Sequence, residues 1–203
     1  MKSMWGSSVE MVADVLKCSV KERTEQGNAS GSCGGFPPAF PVAPGSGRVN
    51  FFPRVSMTTQ RIALVGAGLA GCECALQLAR RGFAVTLFEQ KPEAYSPAHS
   101  MPQLAELVCS NSLRSDELAS GVGLIKQELR ELGSALMAVA DATRVPAGKA
   151  LAVDRELFAG KVTELVEAEP NITLVRKAIA DIDDPALEGF ERVVISAGPL
   201  ASE

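Results

Sequence analysis

The chain has 203 residues, 46% of them hydrophobic and 22% charged, so it can bury a sizeable core as one domain plus something extra. Its net charge is −4, and residues 60–203 carry fourteen basic against twenty acidic side chains with no basic cluster of the kind that displaces counterions from phosphates. No run approaches the roughly 18 uncharged apolar residues needed to span a bilayer, and five cysteines without metal-like spacing point to a reducing compartment, so the chain is expected to be soluble and cytoplasmic.

Residues 1–56 read as a disordered or dispensable extension. A short amphipathic helix through Val9, Val12 and Leu16 fits its start, but Glu10, Asp14, Glu22 and Glu25 are wrong for a signal or transit peptide. Gly27 to Gly47 is dominated by Gly, Pro, Ser and Ala without charge or periodicity, which predicts a linker. Core-forming sequence starts only after Met57.

The apolar run Arg61–Val65 predicts a strand feeding directly into Gly66-Ala67-Gly68-Leu69-Ala70-Gly71, then a helix, then a strand over Ala84–Phe88 ending on Glu89. In that order each part has a job. Gly66 permits the tight turn, Gly68 lets backbone approach a pyrophosphate, and Gly71 lets the helix pack closely on the sheet. The helix N-terminus offers unpaired amides to phosphates, and Glu89, about 20 residues on, can accept hydrogen bonds from a ribose. An acid at that position favours a free 2′-hydroxyl, hence NAD or FAD over NADP; the residues alone leave those two open.

Gln90 to Pro102 reads as loop and holds the only histidine, His99. A short helix is expected over Leu104–Val108, followed by Cys109-Ser110-Asn111-Ser112-Leu113-Arg114-Ser115, which gathers a thiol, hydroxyls, an amide and a guanidinium. From Val122 the spacing of Ile125, Leu129, Leu132, Leu136 and Val139 predicts one amphipathic scaffold helix. A turn over Val145–Lys149, an extended Ala150–Val153 and a helix N-capped by Asp154 and running to about Glu169 come next. Ile172–Val175 predicts a strand continuing as a hairpin through Ile179 to Ile182. Arg192–Ile195 predicts a last strand, and Ser196-Ala197-Gly198 after it suits a second backbone approach to the same cofactor. Cys72 and Cys74, two apart on a helix, point about 200° from one another and read as packing residues rather than metal ligands.

Together, Gly66–Gly71, Ser96-Pro-Ala-His99, Ala105-Glu-Leu-Val-Cys-Ser-Asn-Ser-Leu-Arg-Ser115, Val145-Pro-Ala-Gly148, Ala150-Leu-Ala-Val-Asp-Arg155 and Ala197-Gly-Pro-Leu200 resemble the TrmFO or Gid family of folate- and FAD-dependent tRNA uridine C5-methyltransferases. The resemblance covers Arg61 to Glu203. It implies a Rossmann-like FAD-binding domain of the glutathione-reductase class, incomplete at the C-terminus and occupying residues 57–203, with FAD held by Gly66, Ala67, Gly68, Leu69, Ala70, Gly71, Glu89 and Gly198.

The implied chemistry is reductive methylation of a T-loop uridine, with methylenetetrahydrofolate giving the one-carbon unit, NAD(P)H the electrons, and tRNA as partner. Cys109 matches a functional cysteine of the family and is assigned to the catalytic constellation, whether it attacks, protonates or caps the flavin. His99 matches a motif position, but Ser100 stands where the family usually has a second histidine. Asn111, Ser112 and Arg114 suit either contact with flavin or tRNA phosphate or bracing of the loop. The chain is expected to be an N-terminal fragment that needs a missing C-terminal region or partner chain. Without the resemblance, the glycine turn fits equally an NAD-dependent oxidoreductase fragment or a noncatalytic nucleotide-binding remnant.

Overall fold

In a computed structural model, residues 60–198 are described together with the backbone strand Ser19–Glu22. The linker expected at 27–47 and the helix expected through Val9, Val12 and Leu16 lie outside the described residues. Strands β1 (Ser19–Glu22), β2 (Arg61–Val65), β3 (Ala84–Glu89), β7 (Ile172–Arg176) and β8 (Arg192–Ile195) form one sheet in the order β1-β8-β2-β3-β7. All pairs are parallel except β1 with β8, where Ser19 opposes Ile195 and Glu22 opposes Arg192. β4 (Ser112–Ser115), β5 (Arg144–Val145) and β6 (Ala150–Val153) make a small antiparallel sheet in the order β4-β6-β5. With helices α1 (Leu69–Arg80), α2 (Gly121–Glu131), α3 (Ala135–Ala142) and α4 (Arg155–Ala168), the architecture is α/β.

The parallel strands are short and apolar because both faces are covered. On one face Leu64, Val85 and Leu87 pack with Leu76 of α1, Val139 of α3 and Phe158 and Val162 of α4. On the other, Ala63, Phe88 and Val193 pack against Leu187, with Val65, Val175, Ile179 and Phe190 at the margin. Phe190 meets Phe88 edge-on at 6.3 Å between ring centroids and carries the Arg61 guanidinium 4.8 Å above its own.

The single helix expected from Val122 is two. Gly133 adopts φ +76°, a left-handed conformation that closes α2, and Ser134 caps α3 by accepting from the Met137 amide at 3.2 Å. Leu132, read as a core position of that helix, is 77% exposed at the break. Glu73, reaching over from α1, supplies what the continuous helix would have satisfied internally. Its carboxylate accepts from the Ser134 hydroxyl at 2.9 Å, the Ala135 amide at 3.1 Å and the Leu136 amide at 2.9 Å.

Two further expectations differ. Leu104–Val108 is not helical: the Leu104 amide donates to Thr163 Oγ1 at 2.9 Å, the Ala105 amide to the Ala67 carbonyl at 2.9 Å, and Ala105 sits at φ +51°. The hairpin after β7 is also absent, since the Lys177 amide donates to the Glu89 carbonyl and the chain turns away to a short 3-10 turn at Pro185–Leu187. Asp154 does cap α4, its Oδ1 accepting from the Leu157 amide at 2.9 Å. Among the described residues no helix is long and apolar enough to cross a membrane.

Because Glu73 satisfies three donors at the start of α3, Glu73→Ala is expected to lower the unfolding free energy by about 1–3 kcal/mol, measured by urea denaturation with the slope unchanged.

Candidate functional site

The carboxyl ends of β2, β3 and β8 converge on a cavity of about 280 Å³. Its wall includes Val65 to Gly68 around the end of β2, Phe88 to Lys91 around the end of β3, and Ile195 to Ala197 around the end of β8. His99 and Glu106 close one side, and the segment from Lys177 to Ile182 closes the other. Clefts beyond strand carboxyl ends are where open α/β sheets take ligands.

The three glycines of the turn stand in different surroundings. Gly66 adopts φ +97°, and a Cβ there would lie 2.7 Å from the Ser196 carbonyl oxygen. A Cβ on Gly71 would fall 1.9 Å from the Gly66 carbonyl oxygen and 2.8 Å from Ser196 Oγ. Gly68 is unlike both: it is exposed, has φ −73°, and nothing stands within 4 Å of where its Cβ would be. Neither backbone conformation nor protein packing demands glycine at 68, where the backbone forms a shallow cradle in the cavity wall.

Gly68 is also the N-cap of α1 and supplies no side-chain acceptor, and α1 has no acid in its first turn. The other three α-helices among the described residues are capped by Ser120, Ser134 and Asp154. The first amides of α1, at Leu69, Ala70 and Gly71, therefore meet the cradle without a side-chain cap, in the arrangement that suits a phosphate.

Glu89 is buried, 7% exposed, and lines the cavity. Its Oε2 accepts from the Ala67 amide at 2.9 Å and its Oε1 from the Lys91 amide at 2.9 Å, so the carboxylate is fixed in the wall with acceptor capacity to spare. Ser196 adds a feature unnoticed in the sequence: its hydroxyl lies 3.0 Å from the Val65 carbonyl and 2.8 Å from the Gly66 carbonyl, bracing the turn across strands.

Of the expected cofactor residues, Gly66, Ala67, Gly68 and Glu89 line the cavity, Leu69, Ala70 and Gly71 begin α1 beside it, and Gly198 lies just past the Ser196–Ala197 wall at φ +73°. Cys109 is exposed and stands outside the cavity lining, on the loop entering β4. That loop is tied down where the Val153 amide donates to the Asn111 carbonyl at 2.9 Å. Cys72 is buried, its thiol donating to the Ala67 carbonyl at 3.3 Å, and burial pushes its pKa strongly upward. Cys72 and the partly buried Cys74 both pack in the core.

Glu106 and Lys91 were not anticipated as site residues. The signal was present: a single acid inside Leu104-Ala-Glu-Leu-Val108 must find partners if its neighbours are buried. Its Oε1 accepts from the Ser100 amide at 2.9 Å and the Ser100 hydroxyl at 3.1 Å, and its Oε2 from the Met101 amide and Lys91 Nζ, both at 3.2 Å. Burial alone would raise the Glu106 pKa, but these donors outweigh it and hold the carboxyl below its ordinary value. His99 Nδ1 sits 2.6 Å from Ser96 Oγ in the same loop.

Two outcomes follow. Gly71→Ala should destabilise the fold by more than about 2 kcal/mol, through a backbone clash, while Gly68→Ala should cost under about 1 kcal/mol, both read by thermal or urea unfolding. The stability contributed by Glu106 is fully present above the ordinary glutamate value of 4.5 and is lost as pH falls through its lower folded-state value. Glu106→Gln should therefore flatten the acid limb of a stability–pH profile measured by urea denaturation.

The family model described as "Glucose inhibited division protein A" matches residues 61–202. Relatives named methylenetetrahydrofolate–tRNA-(uracil-5-)-methyltransferase TrmFO include one from Nitratidesulfovibrio vulgaris strain Hildenborough, 70% identical over 148 residues that make 72% of this chain and 31% of the relative. Those of Lawsonia intracellularis and Geobacter sulfurreducens are 62% and 57% identical, over 72% and 71% of this chain and 33% and 32% of their own lengths. This chain thus spans about a third of the length of these curated relatives. Among solved structures, the GidA-related protein from Thermus thermophilus overlaps 58% of this chain and 38% of its own at 19% identity, with a TM-score of 0.31, too slight a likeness to argue from. With a family match running from the first strand of the glycine turn to the last strand's end and beyond, this chain belongs to the glucose inhibited division protein A family.

Proposed function

We propose that residues 61–198 are the dinucleotide-holding part of a Rossmann-like FAD domain of the glutathione-reductase class, serving a folate-dependent tRNA uridine C5-methyltransferase. The observation that carries this reading is the uncapped start of α1 opening on the Gly68 cradle, with Glu89 fixed in the same wall. Pyrophosphate oxygens would take the amides of Leu69, Ala70 and Gly71, and a ribose would take Glu89. Gly198, at positive φ beyond the Ser196 wall, would let the backbone pass close to the cofactor. The choice of FAD over NAD rests on the motif resemblance, and the methyl-transfer activity on relatives that carry that name.

FAD, when bound, supplies the redox chemistry of one-carbon reduction that side chains cannot. This chain's own part is to hold its adenosine diphosphate end and to present Cys109. An exposed thiol on a braced loop is suited to adding, as the strongly nucleophilic thiolate, at uracil C6, which would make C5 nucleophilic. Methylenetetrahydrofolate and NAD(P)H would be the co-substrates and tRNA the partner, in the cytoplasm, with the rest of the site supplied by the part of the relatives' length that this chain does not span.

The purified chain should retain FAD through gel filtration, with quenched flavin fluorescence. Gly68→Val, which fills the cradle, should lower FAD affinity at least about tenfold while the fold survives. Tight NAD binding with no response to FAD would overturn the flavin assignment. In enzyme reconstituted with the remaining region, Cys109→Ser should abolish methyl transfer to tRNA yet keep bound FAD.

A further inference from the structure

Lys91 follows Glu89 by two residues, and its own amide donates to Glu89 Oε1, so its side chain departs from beside the acid that would meet a ribose. An ammonium on the wall of a phosphate-binding cavity is normally an anion ligand. This one is already committed. Its Nζ donates to the Gln103 carbonyl at 2.7 Å and to Glu106 Oε2 at 3.2 Å, and the two paired side chains are 5% and 0% exposed. The Lys91 carbonyl is held too, accepting from Arg176 Nη1 at 2.9 Å while the same nitrogen donates to the Pro102 carbonyl at 3.1 Å.

Lys177, the other lysine on the cavity wall, is drawn off in the same way, its Nζ 2.8 Å from Asp184 Oδ1. The lining also contains the carboxylates of Glu89, Glu106 and Asp181. A second phosphate on the ribose edge would therefore face Glu89 with both wall lysines engaged elsewhere.

Resting on the dinucleotide reading above, we propose that Glu106 is a specificity-determining residue: by sequestering Lys91 it withholds a cation from the ribose edge and makes the cavity reject adenosine ligands bearing a 2′-phosphate. Glu106→Gln is the informative change. The amide keeps the size and its oxygen can still accept from Ser100, but its nitrogen can accept from neither Lys91 nor the Met101 amide, so the ammonium keeps only the Gln103 carbonyl and becomes available to an anion in the cavity.

The test titrates the purified chain with 5′-AMP and adenosine 2′,5′-bisphosphate, ligands that differ only in the 2′-phosphate. Wild type should prefer 5′-AMP. In Glu106→Gln that preference should shrink about tenfold, the scale of a charged hydrogen bond, and Lys91→Met combined with Glu106→Gln should restore it. An unchanged preference in a Glu106→Gln variant that still binds 5′-AMP overturns the proposal. Wild type that binds neither these nucleotides nor FAD overturns the dinucleotide reading and the proposal with it.

A readout on wild type does not depend on any variant folding. Reductive methylation followed by peptide mass spectrometry should leave Lys91 unmodified with or without 5′-AMP, while Lys149, whose side chain is 80% exposed, reacts. Lys91 reacting as readily as Lys149 would overturn the sequestration.

Discussion

Everything at the cavity depends on how closely α1 approaches the end of β2. The missing Cβ of Gly71 allows its backbone to lie against the Gly66 carbonyl, and the same oxygen sits 2.8 Å from the Ser196 hydroxyl. One carbonyl thus fixes helix, turn and β8 relative to one another. Once they are fixed, Ala67 presents its amide to Glu89 and its carbonyl to Ala105 and Cys72, which brings β3 and the 96–106 loop into the same wall. Any side chain at 71 would push α1 outward and misalign all of these contacts together.

The three glycines of the turn are chemically identical and physically distinct. Gly66 is required by dihedral angle, Gly71 by packing, and Gly68 by neither. Gly68 is thus the glycine on which the proposed dinucleotide reading rests, since a Cβ there would meet no protein atom within 4 Å. The uncapped helix start supports the same view, since that end carries positive potential with no side-chain acceptor to absorb it.

Much of this was legible in the sequence. Local signals with one meaning match the structure: the apolar runs of β2, β3, β7 and β8, the strand–turn–helix order around Gly66–Gly71, and the Asp154 cap. The errors arose where a distant residue overrules a local pattern. The apolar spacing ran straight through Leu132, but Glu73 from another helix satisfies a new helix start at Ser134. Leu104 and Ala105 look helical alone, yet their amides are claimed by Thr163 and Ala67. The burial of Lys91 was hidden for a similar reason: its charge is intelligible only with Glu106, 15 residues away.

The 96–106 loop has a consequence for how the chain can vary. It contains neither helix nor strand, yet its shape is set by one carboxylate with four donors and by the Pro102 carbonyl, held by the same Arg176 nitrogen that takes the Lys91 carbonyl. Pro92, Glu93, Ala94 and Tyr95, by contrast, are exposed between the buried Lys91 and the buried Ser96. The exposed residues 92–95 precede that loop and take no part in the contacts that hold it. Length changes belong among those exposed residues, where added chain can bulge into solvent at small entropic cost, whereas a single inserted residue between Met101 and Glu106 would pull the Ser100 and Met101 donors off the Glu106 carboxylate and spoil the wall of the cavity.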